Sequence, residues 1–158
     1  MEENQMELFQ VSKYLDVEHT IAKYMFDPVE NPWEVLPSIS IFIEQLGPML
    51  PSEEFEQRGS NVWISKSAVI APTAYIGGPC IIDAGTEVRH CAFIRGSAII
   101  GKNCVIGNST EVKNSIIFDE VQIPHYNYVG DSILGFRSHL GAGAITSNVK
   151  NDKSNVSS

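Results

Sequence analysis

The 158-residue chain is 43% hydrophobic and 19% charged, with a formal net charge of −8. That is enough apolar material for one domain with a substantial core, and it excludes a disordered chain. The longest apolar runs, such as Ile39 to Ile43, are far too short to cross a bilayer. The opening Met1-Glu2-Glu3-Asn4-Gln5 lacks the basic and apolar regions of a signal peptide, so the expected location is cytoplasmic. Residues 1–60 carry twelve acidic and three basic side chains, residues 61–158 seven and eight. The acidity therefore belongs to the N-terminal part. No basic nucleic-acid surface is present, and the local cations of the second part suit a small anionic ligand.

Within residues 1–60, Asp16 is placed to cap a short helix to about Phe26, with Ile21 and Met25 on one face. Asn31-Pro32 is a cap followed by a first-turn proline, a good helix start. Trp33, Leu36, Ile39, Ile43 and Leu46 recur at helical spacing, and Gly47-Pro48 ends the element. Pro37 kinks that helix or delays its start. Asp27-Pro28 and Gly59-Ser60-Asn61 read as connections.

From Ile64 the pattern changes. Ile64, Ile70, Ile76, Ile82, Val88, Ile94, Ile100, Ile106 and Val112 are spaced by six. Four residues after each of the first eight stands Ala68, Ala74, Cys80, Thr86, Ala92, Ala98, Cys104 or Thr110. A six-residue period fits neither a helix face nor an alternating strand. It fits a coil of short flat sides stacked along an axis, with the aliphatic residue pointing inward and the small residue at the corner. Three hexads make one coil of 18 residues. The expected fold is all-β, a left-handed parallel β-helix of about five coils over 61–147, preceded by the helical segment 1–60 and followed by a polar tail, 148–158. The simplest role for the acidic segment 1–60 is to cover the first coil; a recruitment or oligomer contact is the alternative. After Val112 the period stumbles through Ile116-Ile117-Phe118 and Pro124-His125-Tyr126-Asn127-Tyr128, and resumes at Leu134-Gly135 and Leu140-Gly141. That reads as an insertion or bulge in a rigid scaffold, where sites tend to sit.

Cys80 and Cys104 take the inward corner position and Cys91 lies beside it, so three structural thiols are expected. Arg95 and Lys113 each follow an aliphatic position and lie 18 apart, which predicts two stacked cations about 5 Å apart. A bridging phosphate or carboxylate would make that pair favourable; a solvated basic edge, or pairing with acidic groups of a neighbouring subunit, is the alternative. Arg89 takes the same hexad position on another face. His125, between Pro124 and Tyr126 in the irregular stretch, is a candidate general base or a hydrogen-bonded structural residue. His19 and His90 carry no supporting context. His125 and His139 are 14 apart, and no close histidine pair or carboxylate cluster suggests a metal site.

The hexad run resembles the left-handed β-helix of the hexapeptide-repeat acyltransferases. Residues 85–148 resemble the acetyltransferase half of the bifunctional glucosamine-1-phosphate acetyltransferase/N-acetylglucosamine-1-phosphate uridylyltransferases. The stretches that carry the likeness are Phe93-Ile94-Arg95-Gly96, Glu111-Val112-Lys113-Asn114-Ser115, Pro124 to Asp131, and Leu140 to Asn148. The resemblance implies an N-acetyltransferase in UDP-N-acetylglucosamine and cell-envelope sugar-nucleotide metabolism, with acetyl-CoA as co-substrate and an amino-sugar 1-phosphate as acceptor. It implies His125 as the base, Arg95 and Lys113 on the sugar phosphate, Tyr128 and Asn148 lining the sugar pocket, and Ala142 beside the thioester. It also implies a homotrimer with sites between subunits. No nucleic-acid or membrane partner is expected.

Three departures qualify the likeness. Val149 stands where the family usually has a tyrosine, and His139 where it usually has an asparagine. The family carries further coils that bind much of the coenzyme, while this sequence stops at Ser158, so the cofactor half of the site is expected to be largely missing. The Gly-rich nucleotidyltransferase signature is absent, so uridylyltransfer is not expected. The alternatives are a non-catalytic sugar-phosphate or sugar-nucleotide binding or assembly module, and a fragment of a longer enzyme related to the sugar-1-phosphate nucleotidyltransferases.

Overall fold

The hexads set the path of the chain. A computed structural model describes residues 15–146. Strand β1 (Phe55–Gln57) precedes β2 (Val62–Ser65), β3 (Val69–Ile70) and β4 (Tyr75–Ile76), the three sides of the first coil. The later strands are β5 (Cys80–Ile82), β6 (Glu87–Val88), the long β7 (Phe93–Ile100), β8 (Val105–Asn108), β9 (Glu111–Ile117), β10 (Gln122–His125), β11 (Tyr128–Gly130), β12 (Ile133–Leu134) and β13 (Ile145–Thr146). The β1–β2 pair is antiparallel and covers an edge of the first coil. The remaining pairs are parallel and join one coil to the next: Ile64 lies beside Ile82, Ile82 beside Ile100, Ile100 beside Ile117, and Ile117 beside Leu134. The result is a parallel β-solenoid of about five coils, the left-handed β-helix class expected from the hexads.

Each side gives the interior one aliphatic residue per coil. Ile82, Val88, Ile94, Ile100, Ile106 and Val112 are at most 1% exposed. The ladder does not stop at Val112. Ile117, Ile123, Val129, Leu134 and Leu140 are fully buried, and the register places Ile117, Ile123 and Val129 beside Ile100, Ile106 and Val112. Of the expected insertion or bulge, the insertion is the reverse of what is found, a coil shortened by one residue, and the bulge lies earlier in the chain, at Arg95. Upper coils repeat every 18 residues, as in Ile76 beside Ile94, and lower coils every 17, as in Val112 beside Val129. The change occurs at one corner, where a bulge leaves Arg95 without an opposite residue and Gly96 pairs with Lys113.

The three corners are three columns of left-handed backbone. One holds Gly85, Asn103, Glu120 and Arg137; a second Cys91, Ser109, Tyr126 and Gly143; a third Ser97, Asn114 and Asp131. Corner residues pass their N–H groups up the stack: Asn103 donates to the Ala84 carbonyl, Glu120 to Lys102, Arg137 to Asp119, Tyr126 to Asn108, and Asp131 to Lys113. The ladder thus offsets a conformation that costs an ordinary residue roughly 1–2 kcal/mol.

The N-terminal segment is less helical than its spacing predicts. Val17–His19, Lys23–Phe26, Pro32–Ser38 and Gly47–Met49 are 3-10 turns, and among the described residues only Ile39–Leu46 is an α-helix, α1. Pro37 forbids an α-helical hydrogen bond in that stretch, which delays the helix to Ile39. Glu34 accepts the Asn31 N–H at 2.6 Å, closing the first turn. The segment also covers far more than the first coil. Ile81, Ile99, Ile116 and Ile133 form one register column, are at most 1% exposed, and alternate with inward residues, so they point out of the prism. Helix α1 packs against β5, β7 and β9 over this column. Phe26 meets Phe118 edge-on with ring centroids 5.8 Å apart, and His19 stacks on Phe136 at 3.6 Å, so the cover reaches the last coils.

Asp83 is 4% exposed and accepts the Ala84 N–H at 2.7 Å. Burial holds its carboxyl above the usual 3.8. The folded state therefore binds this proton more tightly than the unfolded chain. Ionised Asp83 costs stability at neutral pH, and the cost disappears as pH falls through the raised value to below the unfolded one. Urea titrations should show Asp83→Asn more stable than wild type at pH 7, with the gain vanishing below about pH 4. In the same assay at pH 7, Asn103→Ala should lose about 1 kcal/mol while Asn103→Gly stays near wild type, because only the side chain's tolerance of the left-handed corner changes.

Candidate functional site

The second face of the prism (β3, β6, β8, β10) ends at the corner that carries His125. Asn108 pairs with His125, and the Gly143 N–H donates to the His125 carbonyl at 3.0 Å. Asn108, His125 and Ala142 therefore occupy successive rungs of one edge. Gly107 allows this approach: a side chain there would collide with the Pro124 carbonyl immediately before His125. The imidazole is exposed, and its Nδ1 lies 3.3 Å from Asn108 Oδ1. In the tautomer whose Nδ1–H donates to Asn108 Oδ1, the Nε2 lone pair is the one that can accept a proton.

Two residues on, bonded to the His125 backbone, Asn127 is only 3% exposed. Its Oδ1 accepts the His125 N–H at 3.1 Å, and its Nδ2 donates to the carbonyls of Gly141 at 2.7 Å and Ala144 at 3.2 Å. Three residues beyond His125, Tyr128 opens β11 on the third face and pairs with Glu111 on one side and Ile145 on the other. The Tyr128 ring lies over Gly130, where a side chain would meet its hydroxyl.

The third face carries the charges. Arg95 Nη1 is 2.7 Å from Glu111 Oε2, a contact that holds the guanidinium above its usual range. Lys113 Nζ is 3.4 Å from Asp131 Oδ2, and Asn114 Nδ2 donates to Asp131 Oδ1 at 2.9 Å. Arg95 and Lys113 do share a face, but they are not two stacked unpaired cations. The bulge puts Arg95 out of register with Lys113, and each cation already holds a carboxylate of its own chain.

The structure thus brings His125 and Ala142 onto adjacent rungs, sets Tyr128 just round the corner, and places Arg95 and Lys113 on the rungs above. Asn148 and Val149 lie outside the described residues. His139 is exposed and meets Gln122 through an isolated parallel bridge. Asn108, Glu111, Asn127 and Asp131 escape a reading based on an 18-residue coil. A 17-residue count from His125 would have found Asn108.

A family model described as the GMPPB C-terminal domain matches residues 76–156. The bifunctional protein GlmU of Methanococcus maripaludis strain C5 is 38% identical over 134 residues, covering 83% of this chain and 32% of that protein. GlmU of Desulfitobacterium hafniense strain DCB-2 is 33% identical over 128 residues, covering 69% and 28%. The chain spans about a third of the length of the curated relatives it matches. Among solved structures, the acetyltransferase domain of PglB from Neisseria gonorrhoeae aligns with a TM-score of 0.47 at 17% identity, over 56% of this chain and 50% of that one.

The thiols divide by depth. Cys80 and Cys104 are buried, and desolvation pushes them up to about 12 and about 11, while Cys91 is exposed. In the native protein a thiol-alkylating reagent should label Cys91 alone, and three labels should appear in denaturant. Intact-mass spectrometry reads both counts.

Proposed function

The chain belongs to the hexapeptide-repeat family of the GMPPB C-terminal domain, and from that membership we propose an acetyltransferase-like protein acting on an amino-sugar 1-phosphate of the glucosamine 1-phosphate type. Acetyl-CoA is the donor on this reading. The observation that carries it is the exposed His125 imidazole, with Nδ1 turned to Asn108 and the rung of Ala142 directly beside it.

The chemistry follows from the free Nε2. The sugar amine attacks the thioester carbonyl only when neutral, and an imidazole near neutral pH can take its proton. The new N–C bond forms, the C–S bond breaks, and the coenzyme thiolate leaves and is protonated. A thioester is already activated, so positioning and one proton transfer suffice. Arg95 and Lys113 receive the phosphate by exchanging Glu111 and Asp131 for it. Exposed pairs of that kind are weak, which makes the exchange feasible. Tyr128 and Asn148 line the sugar pocket. The family likeness also supports a cytoplasmic homotrimer with sites between subunits.

A thiol-release assay with acetyl-CoA and glucosamine 1-phosphate tests the proposal. His125→Ala should lose at least about 100-fold in rate with its circular dichroism unchanged. A wild-type-like rate would sink the assignment of the base. Calorimetry with each substrate separates the competing reading: sugar-phosphate binding with no coenzyme binding is the behaviour of a binding module rather than a transferase.

A further inference from the structure

We infer that Asn127 is a positioning residue that ties the His125 corner to the Gly141–Ala144 turn, so that the base and the backbone around Ala142 are held as one unit. The catalytic part of this inference rests on the reading of His125 as base. The tie itself stands on the geometry alone.

Asn127 follows Thr110 by one 17-residue rung, at a position that Ala92 and Ala144 also occupy. Ala92 is as deeply buried as Thr110, whose Oγ1 accepts the Asn127 N–H at 3.3 Å. A buried amide in such a corner is costly unless its polar atoms are bonded. Here the oxygen takes the His125 N–H, and the nitrogen serves two carbonyls of the next coil. The need for such a link is local. Pro124 has no N–H to pass to a neighbouring coil, and β10 meets the last coil through the isolated Gln122–His139 bridge at one end and the single Gly143 N–H on the His125 carbonyl at the other. A side-chain amide therefore joins the two coils where the backbone ladder is thin. In a two-substrate transfer, a displacement of about 1 Å between base and acyl group costs on the order of 100-fold.

Two variants test this. Asn127→Ala matches the corner residue of neighbouring rungs and removes the whole link. Asn127→Thr can keep an acceptor for the His125 N–H but cannot reach Gly141 and Ala144. Amide hydrogen exchange should quicken at both His125 and Gly143 in Asn127→Ala, and at Gly143 alone in Asn127→Thr, with Ile82 and Ile106 unchanged. In the thiol-release assay, Asn127→Ala should lower kcat about 10- to 100-fold and leave the sugar-phosphate KM within about twofold. Equal acceleration at Ile82, Ile106, His125 and Gly143 would mean a general loss of stability and overturn the inference, as would unchanged exchange at His125 and Gly143. A fully active Asn127→Ala would overturn its positioning role. An inactive wild type whose exchange responds as expected would remove the transferase reading and leave the tie in place.

Discussion

The register between coils is the constraint on which the rest depends. Each rung must place an aliphatic side chain on the one below it, because the prism interior has room for one such residue per side. Ile82, Ile100, Ile117 and Leu134 meet that demand on one side, and Val88, Ile106 and Ile123 meet it on the next. Valine, isoleucine and leucine all serve in these columns and all are buried, so the demand falls on shape and volume more than on residue identity. It also explains how left-handed backbone persists at all three corners. Corner N–H groups find carbonyls on the coil above, so the strain is spread along the ladder rather than borne by single loops.

The candidate site is what this regularity leaves at one edge. His125 projects from a corner whose backbone is fixed above by Asn108 and below by the Gly143 N–H. The third face next to it is electrically balanced, with Arg95 on Glu111 and Lys113 on Asp131. A phosphate would enter a place already organised for charge, by exchange of partners rather than by filling a bare cationic patch. The outward column of Ile81, Ile99, Ile116 and Ile133 shows the opposite solution on the first face, where the N-terminal segment supplies an apolar cover along the coils.

The hexad ladder makes the solenoid legible, because burial of one side chain in six leaves a direct mark on the sequence. The inward ladder to Val112, the corner thiols and the irregular edge that carries His125 can all be read that way. The loss of one residue at a single corner cannot. The aliphatic step from Val112 to Ile117 is five rather than six, and so is the step from Val129 to Leu134. A fixed six-residue ruler reads that as irregularity, and an 18-residue ruler stacks Arg95 on Lys113. The carboxylate partners Glu111 and Asp131 are hidden for another reason: each meets its cation diagonally across a rung, Glu111 standing opposite Phe93 and Lys113 opposite Gly130, which no local propensity announces. The extent of the N-terminal cover is hidden because Ile81 and Ile99 sit between two other buried positions, so the alternation that would mark an outward residue is absent.

The shortened corner lies between the third and first faces, away from the edge that carries His125. Its effect is confined to the spacing between rungs counted along the chain; the side-by-side alignment of the strands is restored at once. A solenoid of this kind can therefore gain or lose a residue at one vertex without shearing the others. The change falls at the vertex that carries Arg95 rather than at the one that carries His125, so coil length becomes a quantity that can drift while the His125 edge stays in line.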